Sequence, residues 1–253
     1  MRRNQAAFPA RARGNGPPAG GVQLRDMRTD PSRPRLVRTI AARALGRYLV
    51  APPASGGAAP LLVGFHGYGE NADAWLDQMA RVPAAAAWLI VSVQALHRFY
   101  NTKTETTVGS WMTRLDRERL IADNVAYVGD VIDEVRRAHA TTAEPVYAGF
   151  SQGVAMAYRA AAFAGRGCRA VVALGGDAPP ELDGAALASC RRVLAGCGAR
   201  DTWYPPAKLE ADAARLRAAG VDVETVVFDG GHEWGASFLE ACDRWLAVLG
   251  RET

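Results

Sequence analysis

The sequence predicts an α/β fold, a central and mostly parallel sheet with helices on both faces. Three observations predict it. Short apolar runs alternate with amphipathic segments along residues 61–249, the pattern left by parallel strands joined through crossover helices. The run Leu61-Leu62-Val63-Gly64-Phe65 is apolar without interruption, as in a strand buried on both faces. A hydrophobic content of 49% against 22% charged residues in 253 positions supports a sizeable core and excludes disordered and fibrous classes.

Residues 1–35 read as a basic arm rich in Arg, Pro and Gly, without apolar periodicity. Residues 36–253 read as a single domain. Leu36–Ala42 and Leu45–Val50 are short strand candidates around a turn near Gly46, closed by Pro52-Pro53. After Leu61–Phe65, Ala87–Val93 reads as the next strand. Arg117–Ala138 reads as a long helix, because Ile121, Val125, Val128, Ile132 and Val135 fall on one stripe. Pro145–Phe150 is a strand and Gln152–Ala164 an Ala-rich helix. Strands follow at Ala170–Leu174 and Arg192–Cys197, then a helix over Pro205–Ala219 stopped by Gly220. Val221–Phe228 is the last strand and Trp234–Leu249 the closing helix. Gln94–Asp116 carries no clear element, and a loop of that length in a compact domain points to function.

Charge is unevenly placed. Residues 1–47 hold eleven Arg and no Lys against Asp26 and Asp30, leaving 19 basic and 24 acidic residues elsewhere. The formal charge of +4 therefore belongs to the arm, and the body is mildly acidic. Such an arm attracts nucleic acid or anionic lipid without specificity. No nucleic-acid-binding motif accompanies the arginines, so a solvated tail and no specific nucleic-acid partner are expected. Cys168, Cys190, Cys197 and Cys242 lack metal-ligand spacing. They read as buried free thiols, with no metal site. Arg2-Arg3 is followed by polar residues and no apolar stretch of signal-peptide or membrane length. A cytoplasmic protein without a membrane span is the expectation, monomeric or homodimeric.

The chemistry concentrates in three places. Gly149-Phe150-Ser151-Gln152-Gly153 is a G-x-S-x-G between a strand and a helix. A turn that tight tolerates only small residues two positions either side of the Ser, which is left strained with its hydroxyl exposed. A serine hydroxyl needs a base. Of the four histidines, His66 and His97 precede the strand that carries Ser151, and His139 ends a helix among polar residues. His232, in a Gly-rich loop between the last strand and last helix, is the base expected from the order Ser, acid, His. His66 reads as a structural residue bracing its loop. Asp201, after the Arg192–Cys197 strand, is the leading acid; Asp177 also ends a strand and is the rival, while Asp229 is too local to orient the ring. An oxyanion hole needs two backbone N–H donors, expected from Gln152 and from Tyr68 in His66-Gly67-Tyr68-Gly69.

Together, His66–Gly69, Gly149–Gly153, Gly198–Asp201 and Gly231-His232 resemble the phospholipase/carboxylesterase family of α/β-hydrolases, which includes acyl-protein thioesterases. The resemblance spans about residues 36–250 and implies an α/β-hydrolase catalytic domain. It implies cofactor-free hydrolysis of small-molecule esters with short to medium acyl chains, with Ser151, Asp201 and His232 as the triad. A thioesterase or lysophospholipase on the same triad is the alternative within that family; a noncatalytic ligand-binding protein is the alternative from another class. Two departures stand out: Val154 where a second Gly is common, and Thr202-Trp203-Tyr204-Pro205 after the acid. Trp111, Trp203, Tyr204 and Trp234 are candidates for lining the substrate pocket, with Phe99 and Tyr100 in the long loop.

Overall fold

In a computed structural model, residues 36–252 are described; the predicted arm at 1–35 lies outside them. The chain divides into two units, Met1–Ala42 and Arg43–Thr253. All helices and strands of the described residues fall in the second. Leu36–Ala42, expected as a strand, forms none, and its residues are exposed. The first strand is instead β1, Arg47–Ala51, which runs antiparallel to β3, Leu89–Gln94. A short apolar stretch with no sheet edge to join has nothing to gain from extension.

The other strands are β2 (Leu61–Phe65), β4 (His97–Tyr100), β5 (Thr107–Ser110), β6 (Val146–Phe150), β7 (Ala170–Leu174), β8 (Arg192–Gly198) and β9 (Asp222–Phe228). The seven-stranded sheet has the order β1-β3-β2-β6-β7-β8-β9 and is parallel except at β1. The helices are α1 (Ala72–Met79), α2 (Arg117–Ala138), α3 (Gln152–Phe163), α4 (Gly184–Ala188), α5 (Pro206–Ala218) and α6 (Ala236–Arg251). The helix and strand edges shift by one or two residues from the expected ones.

Why the strand sequences are apolar throughout is visible in where successive residues go. Leu61, Val63 and Phe65 enter one core, with Val128 and Ile132 of α2 and Tyr158 of α3. Leu62 enters the opposite core, with Trp75 of α1 and Phe238 and Leu246 of α6. Side chains alternate across a strand, so a strand covered on both faces must be apolar at every position. The α2 stripe is as the spacing predicts, with Val128, Ile132 and Val135 buried.

Three elements had no clear signal. Helix α1 is capped by Asn71, whose Oδ1 accepts from the Ala74 N–H at 2.9 Å. The segment Gln94–Asp116, expected as a loop, contains the β4–β5 hairpin. Helix α4 is a single short turn capped by Asp183. All four cysteines are free and buried. Among the described residues, no group of three or more His, Cys, Asp or Glu could hold a metal ion, and no helix is long and apolar enough to cross a membrane.

The chain moves outward from β2 to β3 and then returns to β6 on the other side of β2. Loops after β2 and β6 therefore diverge around a crevice at the carboxyl edge of the sheet, where open parallel sheets bind ligands.

Candidate active site

Ser151 stands at that edge, between β6 and α3. Its backbone has φ 52° and ψ −120°, a region that costs a non-glycine residue of order 1–3 kcal/mol. The turn that holds it has no room for side chains on either flank. A Cβ on Gly149 would lie 2.4 Å from the Gly153 carbonyl oxygen, and one on Gly153 would lie 2.1 Å from the carbonyl oxygen of Phe65. We therefore expect Gly153→Ala to destabilise the fold by about 1–3 kcal/mol, as overpacking against a backbone that cannot yield does. Urea unfolding that left the variant as stable as the parent would contradict this.

His232 arrives from the loop between β9 and α6. Its Nε2 lies 2.8 Å from the Ser151 Oγ, and its Nδ1 lies 2.7 Å from the Asp201 Oδ2. Asp201 is 3% exposed, in the loop after β8. Its other oxygen, Oδ1, accepts from the Trp203 and Tyr204 N–H groups at 2.8 and 2.9 Å. Of the three aspartates weighed from the sequence, Asp201 alone meets the imidazole. Asp177 pairs with Lys208 at the surface, and Asp229 with Arg200. With a carboxylate accepting at Nδ1, that nitrogen carries the proton and Nε2 is left to accept from the serine.

The loop after β2 lies against the same serine. Its Gly67 N–H donates to the Glu70 carboxylate at 2.8 Å, Gly69 donates to the Gly109 carbonyl and Glu70 to the Gly67 carbonyl. Among the described residues, this leaves the Tyr68 N–H without a carbonyl to serve. The Gln152 N–H, first in α3, is likewise unused by any backbone carbonyl, as the opening amides of a helix are. Burial pushes the Glu70 pKa up, while the Gly67 amide and nearby His232 pull it down.

A match to the phospholipase/carboxylesterase family profile covers residues 49–249. The chain belongs to this family. It is accordingly a serine hydrolase of carboxylic esters. Solved structures share its fold at low identity. The Bacillus cereus carboxylesterase is 18% identical, with a TM-score of 0.64 over 81% of this chain and 95% of that one. The Mesorhizobium loti carboxylesterase is 20% identical, with a TM-score of 0.63 over 81% and 98%. A phospholipase/carboxylesterase from Dyadobacter fermentans is 19% identical, with a TM-score of 0.61 over 81% and 98%. No curated protein matches the sequence.

Two recesses meet at the serine of this family member. One, of about 370 Å³, lies over α3 and is lined by Met112, Ala155, Arg159, Pro180 and Tyr204 beside the serine. The other, of about 440 Å³, lies over the loop after β2 and is lined by Gly67, Tyr68, Glu70 and Phe150. Trp203, 76% exposed, borders both.

Two of the aromatics expected at the pocket take other places. Trp111 is fully buried, its Nε1 donating to the His66 carbonyl at 2.8 Å. An indole N–H in a core needs such a partner, and the Asn124 side chain fixes the same residue by donating to its carbonyl at 2.7 Å. Trp234 packs on Phe150 and Phe238 and lines neither recess. Phe99 packs at a tilt against the exposed Tyr68 ring, with centroids 5.6 Å apart.

Sequence reasoning missed what the Gln152 side chain does. Its Oε1 accepts from the Trp111 N–H at 2.9 Å and its Nε2 donates to the Met112 carbonyl at 3.1 Å. The glutamine thus ties the segment after β5 to the start of α3.

His66 braces its loop, as the sequence reading expects. It is fully buried; its Nε2 accepts from the Ala95 N–H at 3.1 Å, so the proton sits on Nδ1, 2.7 Å from the Gly67 carbonyl. Burial lowers its pKa from 6.5 to about 4, against the pull of the Gly67 carbonyl. The sign follows: between pH 6.5 and 4 the unfolded chain binds this proton and the folded one does not, so this residue makes stability fall as pH falls through that window. NMR should find the His66 ring neutral down to pH 5. A midpoint at the ordinary histidine value would refute the bracing role.

Proposed function

We propose that the protein hydrolyses short- to medium-chain acyl esters by two-step acyl transfer, with Ser151 as nucleophile, His232 as general base and acid, and Asp201 as the orienting carboxylate. The continuous hydrogen-bonded line from Ser151 Oγ through the His232 ring to Asp201, opening on two recesses, carries this reading. The elements from β1 to α6 are the catalytic domain.

His232 Nε2 takes the Ser151 proton as Oγ bonds to the ester carbonyl carbon. The carbonyl oxygen becomes an oxyanion held by the Gln152 and Tyr68 N–H groups, the former backed by the positive end of α3. His232 returns the proton to the departing alcohol as the carbon–oxygen bond breaks. Water then repeats the cycle on the acyl-serine, giving up its proton to His232 and releasing the acid. Asp201 keeps its own charge throughout and stabilises the imidazolium. A donor aimed at the oxyanion is worth about 10²–10³ in kcat.

Labelling with a fluorophosphonate, followed by mass-spectrometric mapping, tests nucleophile and activation together. The adduct is expected on Ser151. An adduct elsewhere, or none on the folded protein, would overturn the reading.

A further inference from the structure

The recess over α3 is not a plain apolar acyl pocket. Ala155 and Arg159 are spaced by four, so they share one face of α3, and both line the recess with Ser151, which stands just before the helix. Ala155 is small and leaves the space above it open. Arg159 lies two turns beyond Ser151, about 12 Å along the axis, and side chains on a helix lean back toward its N-terminus. Its guanidinium therefore comes to the floor of the recess, where the residue is 1% exposed.

The charges there do not balance. Glu181 Oε1 accepts from Arg159 Nε at 2.9 Å and from Nη2 at 2.6 Å, while its Oε2 accepts from Arg117 Nη2 at 3.2 Å. Two guanidiniums thus share one carboxylate. Lys208 and Asp177, at the rim, pair with each other at 3.5 Å and cancel. Among the described residues, Arg159 Nη1 meets only the Met112 sulfur, at 3.5 Å. A thioether is a weak acceptor, so the Nη1 end of this buried guanidinium lacks the carboxylate partner that Nε and Nη2 have in Glu181, and an incoming anion would supply it. Arg117 lines the same recess from the start of α2.

From this we infer that the ester substrate carries a carboxylate, which the Arg159 and Arg117 guanidiniums hold in the recess over α3 while Ser151 attacks the ester. The inference rests on the serine esterase reading and names its substrate class. Arginine suits the task because its planar fork matches a carboxylate, and the short apolar floor at Ala155 separates the reacting carbonyl from the anion.

Initial rates in a pH-stat test it with two matched pairs. Monoethyl glutarate against ethyl pentanoate places the carboxylate on the acid side; the pentanoyl ester of 3-hydroxypropanoate against propyl pentanoate places it on the alcohol side. The wild-type protein is expected to favour the anionic member of one pair by about tenfold or more in kcat/KM, the worth of a charge-assisted hydrogen bond. Arg159→Met should cut that ratio about tenfold, mainly through KM, because the anion is held equally in ground and transition states. Arg117→Gln, at a half-exposed position, should cut it less, and it decides the matter should Arg159→Met fail to fold by circular dichroism. Neutral esters preferred in both pairs, or a ratio unmoved in the folded variants, would overturn the inference alone. Absence of turnover on all four esters together with no fluorophosphonate adduct would overturn the esterase reading, and this one with it.

Discussion

Ser151→Ala abolishes ester hydrolysis while leaving the fold intact: kcat/KM is expected to fall by at least about 10⁴, as loss of a triad nucleophile does. The size follows from the geometry. Removing Oγ takes away the nucleophilic atom that lies 2.8 Å from His232 Nε2, and water must then act from an unheld position. The fold should survive because alanine keeps the Cβ that the strained turn already accommodates, and because the Ser151 N–H, not its hydroxyl, donates to the Leu174 carbonyl at 2.9 Å. Rates on a chromogenic short-chain ester, alongside a circular dichroism melt, check both halves. Activity retained within tenfold would remove Ser151 from the mechanism.

Asp201→Asn is expected to lose about 10⁴ in kcat, some 5.5 kcal/mol of barrier. An amide that offers an N–H to the ring fixes the wrong tautomer, leaving Nδ1 to accept and Nε2 protonated, so the serine loses its base. The Trp203 and Tyr204 amides on Oδ1 hold the side chain in place, so the loss should be electronic and not a collapse of the loop. Asp177→Asn is the matched comparison. Its carboxylate faces Lys208 at the rim, and its activity should stay within a few-fold of the parent. The reverse ranking in a single steady-state assay would move the acid to Asp177.

Much of the site was legible because it is local. Gly149, Ser151 and Gly153 announce a turn whose steric demand is met within five residues, and a Cβ at either glycine runs into backbone. His232 follows from chain order, and the acid is narrowed to Asp201 ahead of Asp177, both of which follow strands. The apolar strands, β2 above all, were legible because burial on two faces leaves no polar position to confuse the period. The misses have a shared cause. Trp111 and Trp234 carry the same side chain as Trp203, yet the first is fully buried, the second is partly buried against Phe150 and Phe238, and the third is 76% exposed. Aromatic residues favour core and pocket alike, and only neighbours from distant segments decide between them. Leu36–Ala42 failed as a strand for the same reason, since a strand needs a partner that local sequence does not name.

By itself the sequence determined the layered α/β architecture, the strained serine and the loops that bring an imidazole and a carboxylate toward it, because those depend on periodicity, glycine sterics and order along the chain. Tertiary structure alone decided that Asp201 and not Asp177 meets His232, that Gln152 ties down the segment after β5, and that Arg159 shares Glu181 with Arg117 beneath the recess. Those are contacts between residues more than twenty positions apart, and the free energy of a hydrogen bond or an ion pair depends on a distance that only the packed sheet and helices set.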